Sequence, residues 1–205
     1  MPVKGDPGHR DGPGRPRRTQ ADRRETTRSA LLAAGRELFA TKGFAGAGRE
    51  EIVERAGVTR GALYHHFSSK EDLFRAVYEQ VEGELLEVIA VSAMSAETPL
   101  DQLRRGARAY LQAAAADPAV RRICLLDAPS VLPADVLRDL AERHGLGLIR
   151  ESLAQAMAAG QLAERPLDPL ARLLRAALME AATLVAEGAD GEEMAAMVDG
   201  MIDRL

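Results

Sequence analysis

The stretch FATKGFAGAGREEIVERAGVTRGALYHHFSSKEDLF, from Phe39 to Phe74, decides the fold. Arg49 to Ala56 places Ile52, Val53 and Ala56 on one apolar face of a short helix, and Gly57 supplies the left-handed residue that ends it. Thr59 can cap a second helix running to about His66, with Leu63 and Phe67 turned inward. Two helices joined by a glycine-containing turn of this length form the helix-turn-helix of DNA-binding proteins, whose second helix enters the major groove. The outward residues of that second helix are Thr59, Arg60, Gly61, Ala62, Tyr64 and His65. All are small or able to hydrogen-bond, and none is acidic.

At these residues the chain resembles the tetracycline-repressor (TetR) family of bacterial transcription regulators. The resemblance is carried by Glu37-Leu38-Phe39, Gly43-Phe44, Ile52-Val53, Ala56-Gly57-Val58-Thr59, Gly61, Leu63-Tyr64, His66-Phe67, Ser69-Lys70-Glu71 and Leu73, and covers roughly residues 27–78. Two positions depart from the family's pattern. Ala47 and Gly48 stand where it usually has two hydroxyl residues, and Gly35 replaces the second alanine of the leading helix. The first departure removes a hydroxyl that commonly caps the helix and touches a phosphate, so Arg49 is expected to take over that contact. The resemblance also implies that Lys70, at the start of the next helix, meets the DNA backbone. It implies that this next helix transmits a ligand signal from body to head, and that the last two helices of each subunit form an intermolecular four-helix bundle.

Length, composition and charge agree. The 205 residues suffice for one small and one medium domain, and the scarcity of alternating runs beside abundant Ala and Leu points to an all-α chain. The net charge of −4 hides an asymmetry: residues 1–80 carry 15 Lys+Arg against 11 Asp+Glu, whereas residues 81–205 carry 12 against 20. A basic head on an acidic body suits a protein that touches DNA at one end. The single cysteine, Cys124, excludes an intramolecular disulfide framework and fits a reducing cytoplasm, the expected location. Neither a signal peptide nor an apolar run near the ~20 residues of a membrane span is evident.

The expected organisation is a disordered basic arm over residues 1–20, a helix-turn-helix domain over 21–68, and a helical ligand-binding and dimerisation domain over 69–205. The arm is rich in Pro and Gly, and its Arg15-Pro16-Arg17-Arg18 cluster resembles minor-groove peptides. Two readings stand for it: a segment lying along A·T-rich DNA, and a solvated tail. The leading helix should begin between Thr19 and Asp22, bury Leu31, Leu32, Ala34, Leu38 and Phe39, and stop at Gly43. Ser68 with Glu71 and Ser69 with Asp72 form overlapping capping boxes before a helix to about Ala93. Thr98-Pro99, Asp117-Pro118 and Asp168-Pro169 each put a capping residue before a proline at the first helical position. They predict helices over 99–116, 118–127 and 169–187. Another is expected over 133–159, interrupted at Gly145 or Gly147, and a last one over 190–204, for about nine helices in all.

The last two helices carry wide apolar stripes. These hold Leu174, Leu178 and Ala181 on one and Met197 and Met201 on the other, and each stripe can serve as core and as a homodimer seam. No catalytic or metal constellation emerges. His65 and His66 point about 100° apart on their helix and cannot share a metal, and His144 has no ligand four residues away. Cys124 sits among Ile123, Leu125 and Leu126 as core does. Neither enzymatic activity, a cofactor nor a metal is expected. The expected partners are a palindromic or near-palindromic double-stranded DNA operator, a second copy of the chain, and an unidentified small-molecule effector. Tyr110, Cys124, Asp127 and Met157 are the candidate pocket residues for that effector. The segment around Cys124 fits a pocket wall and a capped helix end equally. The competing function is a constitutive DNA-binding dimer without an effector pocket.

Overall fold

The computed structural model describes residues 20–205. The arm with Arg15, Arg17 and Arg18 lies outside the described residues. Ten α-helices and one π-helical segment make up the described chain, with no strand among them. The all-α expectation holds, with one helix more than the nine anticipated.

Helix α1 (Gln20–Gly46) buries Leu31, Ala34, Gly35, Leu38 and Phe39, while Leu32 is half-buried. It breaks at the expected glycine: Gly43 adopts φ 71° and ψ 170°, and a further turn follows to Gly46. Only glycine fits there, because a Cβ would also lie 2.3 Å from the Arg122 guanidinium. Gly35 is a close-approach position, where a Cβ would meet Val77 at 3.2 Å. The departure from the family's alanine therefore lets α1 and α4 (Lys70–Met94) pack tightly.

Helices α2 (Arg49–Ala56) and α3 (Arg60–His66) follow as the sequence dictates. Gly57 takes φ 64° and ψ 32°, and its N–H bonds the Glu54 carbonyl at 3.0 Å. The Thr59 hydroxyl accepts from Ala62 N at 3.2 Å. Leu63 and Phe67 are buried. Before α4, Ser69 accepts from Asp72 N at 3.0 Å, but the Asp72 carboxylate reaches back to Ser68 N at 3.0 Å. One cap with two serines thus replaces the two overlapping boxes.

Helix α5 (Pro99–Ala116) starts from a Thr98 cap as anticipated. Asp117 accepts from Ala119 N at 2.7 Å and launches the π-helical segment Val120–Asp127, followed by α6 (Ala128–Val131). The expected helix over 133–159 is two helices, α7 (Ala134–Arg143) and α8 (Gly145–Ala158), broken at His144, which leaves helical geometry just before Gly145. Helix α9 (Leu167–Ala186) begins two residues earlier than expected because Pro166, not Asp168, precedes its first turn. Asp168 instead pairs with Arg150 and Arg172. Helix α10 (Gly191–Ile202) is capped by Asp190, which accepts from Glu192 N and Glu193 N at 2.9 Å each. It is held on α5 by Arg108–Asp199 and Arg104–Asp203 pairs.

A continuous core links all of this, from Leu31 and Phe39 through Leu73, Val77 and Val81 to Ile123, Leu153, Leu178 and Ile202. Helix α4 is its spine: one end packs on α1 and braces the turn into α2 through Lys70, and the other walls the body.

Candidate nucleic-acid interface and the cavity behind it

Helix α3 presents Thr59, Arg60, Gly61, Tyr64 and His65 to solvent, with Ala62 half-buried. Its opposite face is pinned by Leu63 and Phe67, and the Thr59 cap fixes its start, so the outward face is preset before any partner arrives. Arg60 lies over the Tyr64 ring at 5.9 Å and 3.5 Å from Glu50 of α2. Two other cations of the head are tied down: Lys42 to Glu51 at 2.6 Å and Arg55 to Glu37 at 2.6 Å. Arg49 is exposed at the start of α2, where Gly48 provides no side-chain cap.

Lys70, expected to meet the DNA backbone, is also engaged within the chain. Its ammonium donates to the Ala47 carbonyl at 2.8 Å and lies 4.3 Å from the Phe44 ring centre. Burial lowers its pKa from the ordinary lysine value. One of its three donors therefore braces the turn into α2, and Ala47, the residue at the family's hydroxyl position, is fully buried beneath it.

Sequence reasoning missed the first turns of α1. Gln20, Arg23, Arg24 and Thr27 line an open groove shared with Ala62, His65 and His66 of α3. Arg23 and Arg24 are exposed, and no ion pair engages them among the described residues. Burial is the first cause lowering the His66 pKa, followed by His65, Arg24 and Arg28. The signal was present in Arg23-Arg24, but only the fold sets that pair beside α3.

The body holds a cavity of about 160 Å³, partly open to solvent, between α4, α5, α7, α8, α9 and the π-helical segment. Of the candidate pocket residues, Tyr110 and Cys124 line it; Asp127 and Met157 do not. Asp127 is a structural latch: its carboxylate accepts from Phe44 N at 2.6 Å and pairs with Arg122 at 3.1 Å. Met157 is half-buried on α8 away from the cavity. The wall supplies polar groups that the sequence reading passed over: Tyr78 and Glu82 of α4, Arg175 of α9, and Gln102 and Ser152. The clue was a tyrosine and a carboxylate four residues apart on the face that carries Leu85 and Ile89. Burial drives the Tyr78, Tyr110 and Cys124 pKa values up and raises that of Glu82, against the Tyr78 hydrogen bond and the charges of His144 and Arg175.

The residues expected at a dimer seam are divided. Leu174, Leu178 and Ala181 are buried within the single chain, whereas Met197 and Met201 are 60% and 46% exposed. Leu173 and Leu184, exposed at 70% and 39%, are the leucines of α9 that face outward. No helix among the described residues is long and apolar enough to cross a membrane.

Comparison with known proteins adds three findings. Residues 31–77 match the family described as bacterial regulatory proteins, tetR family, and residues 100–205 match a tetracyclin repressor-like C-terminal domain. A TetR-family transcriptional regulator from Pectobacterium atrosepticum superimposes with a TM-score of 0.74 at 34% identity, covering 91% of this chain and 95% of that one. Among curated relatives, the transcriptional activator FasR of Mycolicibacterium smegmatis is 34% identical over 87 residues, 42% of this chain and 40% of its own. The transcriptional repressor AcnR of Corynebacterium diphtheriae is 37% identical over 67 residues, 33% of this chain and 35% of its own. The chain thus spans about two fifths of the length of these curated relatives.

Proposed function

Because the chain belongs to the TetR family and is a DNA-binding transcriptional regulator, we propose that it is a homodimeric cytoplasmic repressor released from a palindromic or near-palindromic operator by a small molecule. The observation that carries this reading is the capped α3 helix, its apolar side locked into the core and its Thr59–His65 side turned outward.

On DNA, Arg60 reads a guanine through O6 and N7, and Tyr64, His65, Gly61 and Ala62 line the major groove. Thr59, Arg49 and the free donors of Lys70 meet phosphates, joined by Arg23 and Arg24 from α1. Arg15, Arg17 and Arg18 of the arm enter the adjacent minor groove. Two heads are needed for a palindrome, and Leu173, Leu184, Met197 and Met201 supply the exposed apolar surface that a partner's equivalent helices would cover.

The cavity favours effector control over constitutive binding. Helix α4 holds Tyr78 and Glu82 in its wall, follows α3 after three residues, and braces the turn into α2 through Lys70. The π-helical segment offers a second link: Cys124 lines the cavity, while Arg122 and Asp127 grip the Gly43–Phe44 turn that leads into α2. A ligand that favours a different setting of these two elements would move the two recognition helices away from their spacing of about 34–36 Å per DNA turn. The test is selection of bound duplexes from a random library, followed by footprinting. Two half-sites in inverted order protected by one dimer are expected; protection without sequence preference would overturn the reading.

A further inference from the structure

Two charged side chains face the same cavity, and no salt bridge joins them. Glu82 Oε1 receives the Tyr78 hydroxyl at 3.1 Å, but Glu82 Oε2 is buried and has no hydrogen-bond partner. Arg175, half-buried across from it on α9, donates to the Met179 sulfur, a weak acceptor. The remaining wall is aliphatic, with Leu85, Leu86, Ile89 and Leu103 prominent. Such a wall selects an apolar body, while an orphaned buried acceptor selects whatever brings it a donor.

Charge decides which donor. One carboxylate and one guanidinium leave the cavity close to neutral. An ammonium would satisfy Glu82 but add a second cation beside Arg175 in a low-dielectric space. A carboxylate would suit Arg175 but repel Glu82 and leave Oε2 unpartnered. A hydroxyl or primary amide donates to Oε2 and can accept from Arg175 without bringing net charge. Volume sets the size: a cavity of about 160 Å³ is in the class of the ~150 Å³ apolar cavity that admits benzene.

We propose that the cavity takes a small, uncharged, largely apolar molecule bearing one hydroxyl or primary amide, which gives its hydrogen to Glu82 Oε2. This rests on reading the cavity as the effector site. Cyclohexanol, cyclohexylammonium, cyclohexanecarboxylate and cyclohexane serve as matched probes for calorimetry on the full chain. Each is also added to a complex with a library-selected operator. Cyclohexanol should bind tightest, by about tenfold over cyclohexane, the equivalent of one hydrogen bond to a charged group. Glu82→Leu should erase that margin. Glu82→Gln, which keeps shape and an acceptor, should retain it for cyclohexanol and improve cyclohexanecarboxylate, since Arg175 is then the only charge. Preference for the ammonium or carboxylate in the unmodified protein, or an unchanged order in both variants, overturns the proposal. If a charged probe binds best and releases DNA, the effector reading survives and this chemistry falls. If cyclohexanol binds with the expected margin but leaves DNA bound, the chemistry stands and the effector reading falls. Binding by none of the four overturns both.

Discussion

Head and body are built from different materials. All four phenylalanines of the chain, Phe39, Phe44, Phe67 and Phe74, lie in the head or at its junction with α4. Phe39, Phe44 and Phe74 form a closed triangle with ring centres 5.2–6.0 Å apart, and Arg28 covers Phe67 at 5.6 Å. Large rigid rings in mutual contact leave little freedom, which suits a surface that must hold a fixed shape against DNA. Beyond Tyr78 the body has Tyr110 as its one aromatic residue and packs mainly Leu and Ala. Its helices do not close, and the space left between them contains a carboxylate and a guanidinium. The head is tightly filled, and the body keeps a cavity whose walls have fewer packing constraints.

The largest effect expected from this contrast is in the head. Phe74→Ala should cost about 3–5 kcal/mol of stability, measured by chemical denaturation, because the aromatic triangle cannot collapse around the hole. In the body, Gly106→Ala adds a methyl 3.3 Å from Ile89 at the cavity wall. It should change stability by less than about 1 kcal/mol, within the range for cavity filling and glycine replacement. Equal costs at the two sites would erase the distinction between filled head and open body.

Next in size is the link between the two parts. Asp127→Ala leaves the Phe44 N–H without its acceptor and frees Arg122, so a loss of about 1–3 kcal/mol is expected. Hydrogen exchange should quicken at Phe44 and Ala45 before it quickens in α9. Uniform loss of protection would mean that the latch is only one of many core contacts.

Arg60→Ala should weaken operator binding by about 1–3 kcal/mol and relax one base position per half-site. Glu50→Gln, which frees Arg60 from its neighbour, should act weakly in the opposite direction. Lys70→Ala separates bracing from phosphate contact: its bond to Ala47 predicts lost thermal stability in the absence of DNA, which a pure phosphate ligand would not show.

The smallest effect concerns pH. Burial raises the Glu82 pKa in the folded protein. Between the unfolded and folded values the folded state therefore binds more protons. The associated stability is present below the unfolded pKa and is lost as pH rises through the folded one. Relative to Glu82→Gln, the unmodified protein should gain stability as pH falls from neutrality into the ordinary carboxylate range. The change should be of order 1 kcal/mol, the scale of one buried polar atom without a partner. Tyr78, His144, Arg175 and Glu79 are the groups that set this balance. A difference independent of pH would show that Glu82 is solvated.

What the sequence revealed follows the same division. The head was legible because its determinants are local: Gly57 must turn, Thr59 must cap, and Leu63 and Phe67 share a helical face whatever surrounds them. The cap at Thr98 was legible for the same reason, whereas Asp190, expected as the first residue of the last helix, proves to be its cap. Asp168-Pro169 misled because Pro166 can open the same helix and because Arg150 and Arg172 claim the carboxylate. Asp127 resembled a pocket anchor or a helix cap, yet its partner is a backbone amide 83 residues away, which no local pattern encodes. In α9 the apolar stripe was clear, but periodicity cannot tell which of its edges meets the core; the fold buries Leu178 and exposes Leu184. Charge at these two positions should thus act differently: Leu178→Glu is expected to unfold the protomer, and Leu184→Glu to yield folded monomers by sedimentation.

Energetic coupling between cavity and recognition helix must appear as reciprocal linkage between their ligands. Affinity of a cavity ligand is measured by calorimetry with and without operator, and affinity of operator with and without saturating ligand. Each should weaken the other by the same factor, about 5–150-fold in the usual range of allosteric coupling. Ligand affinity unchanged by operator, with operator affinity unchanged by ligand, would contradict it and leave a constitutive DNA-binding dimer.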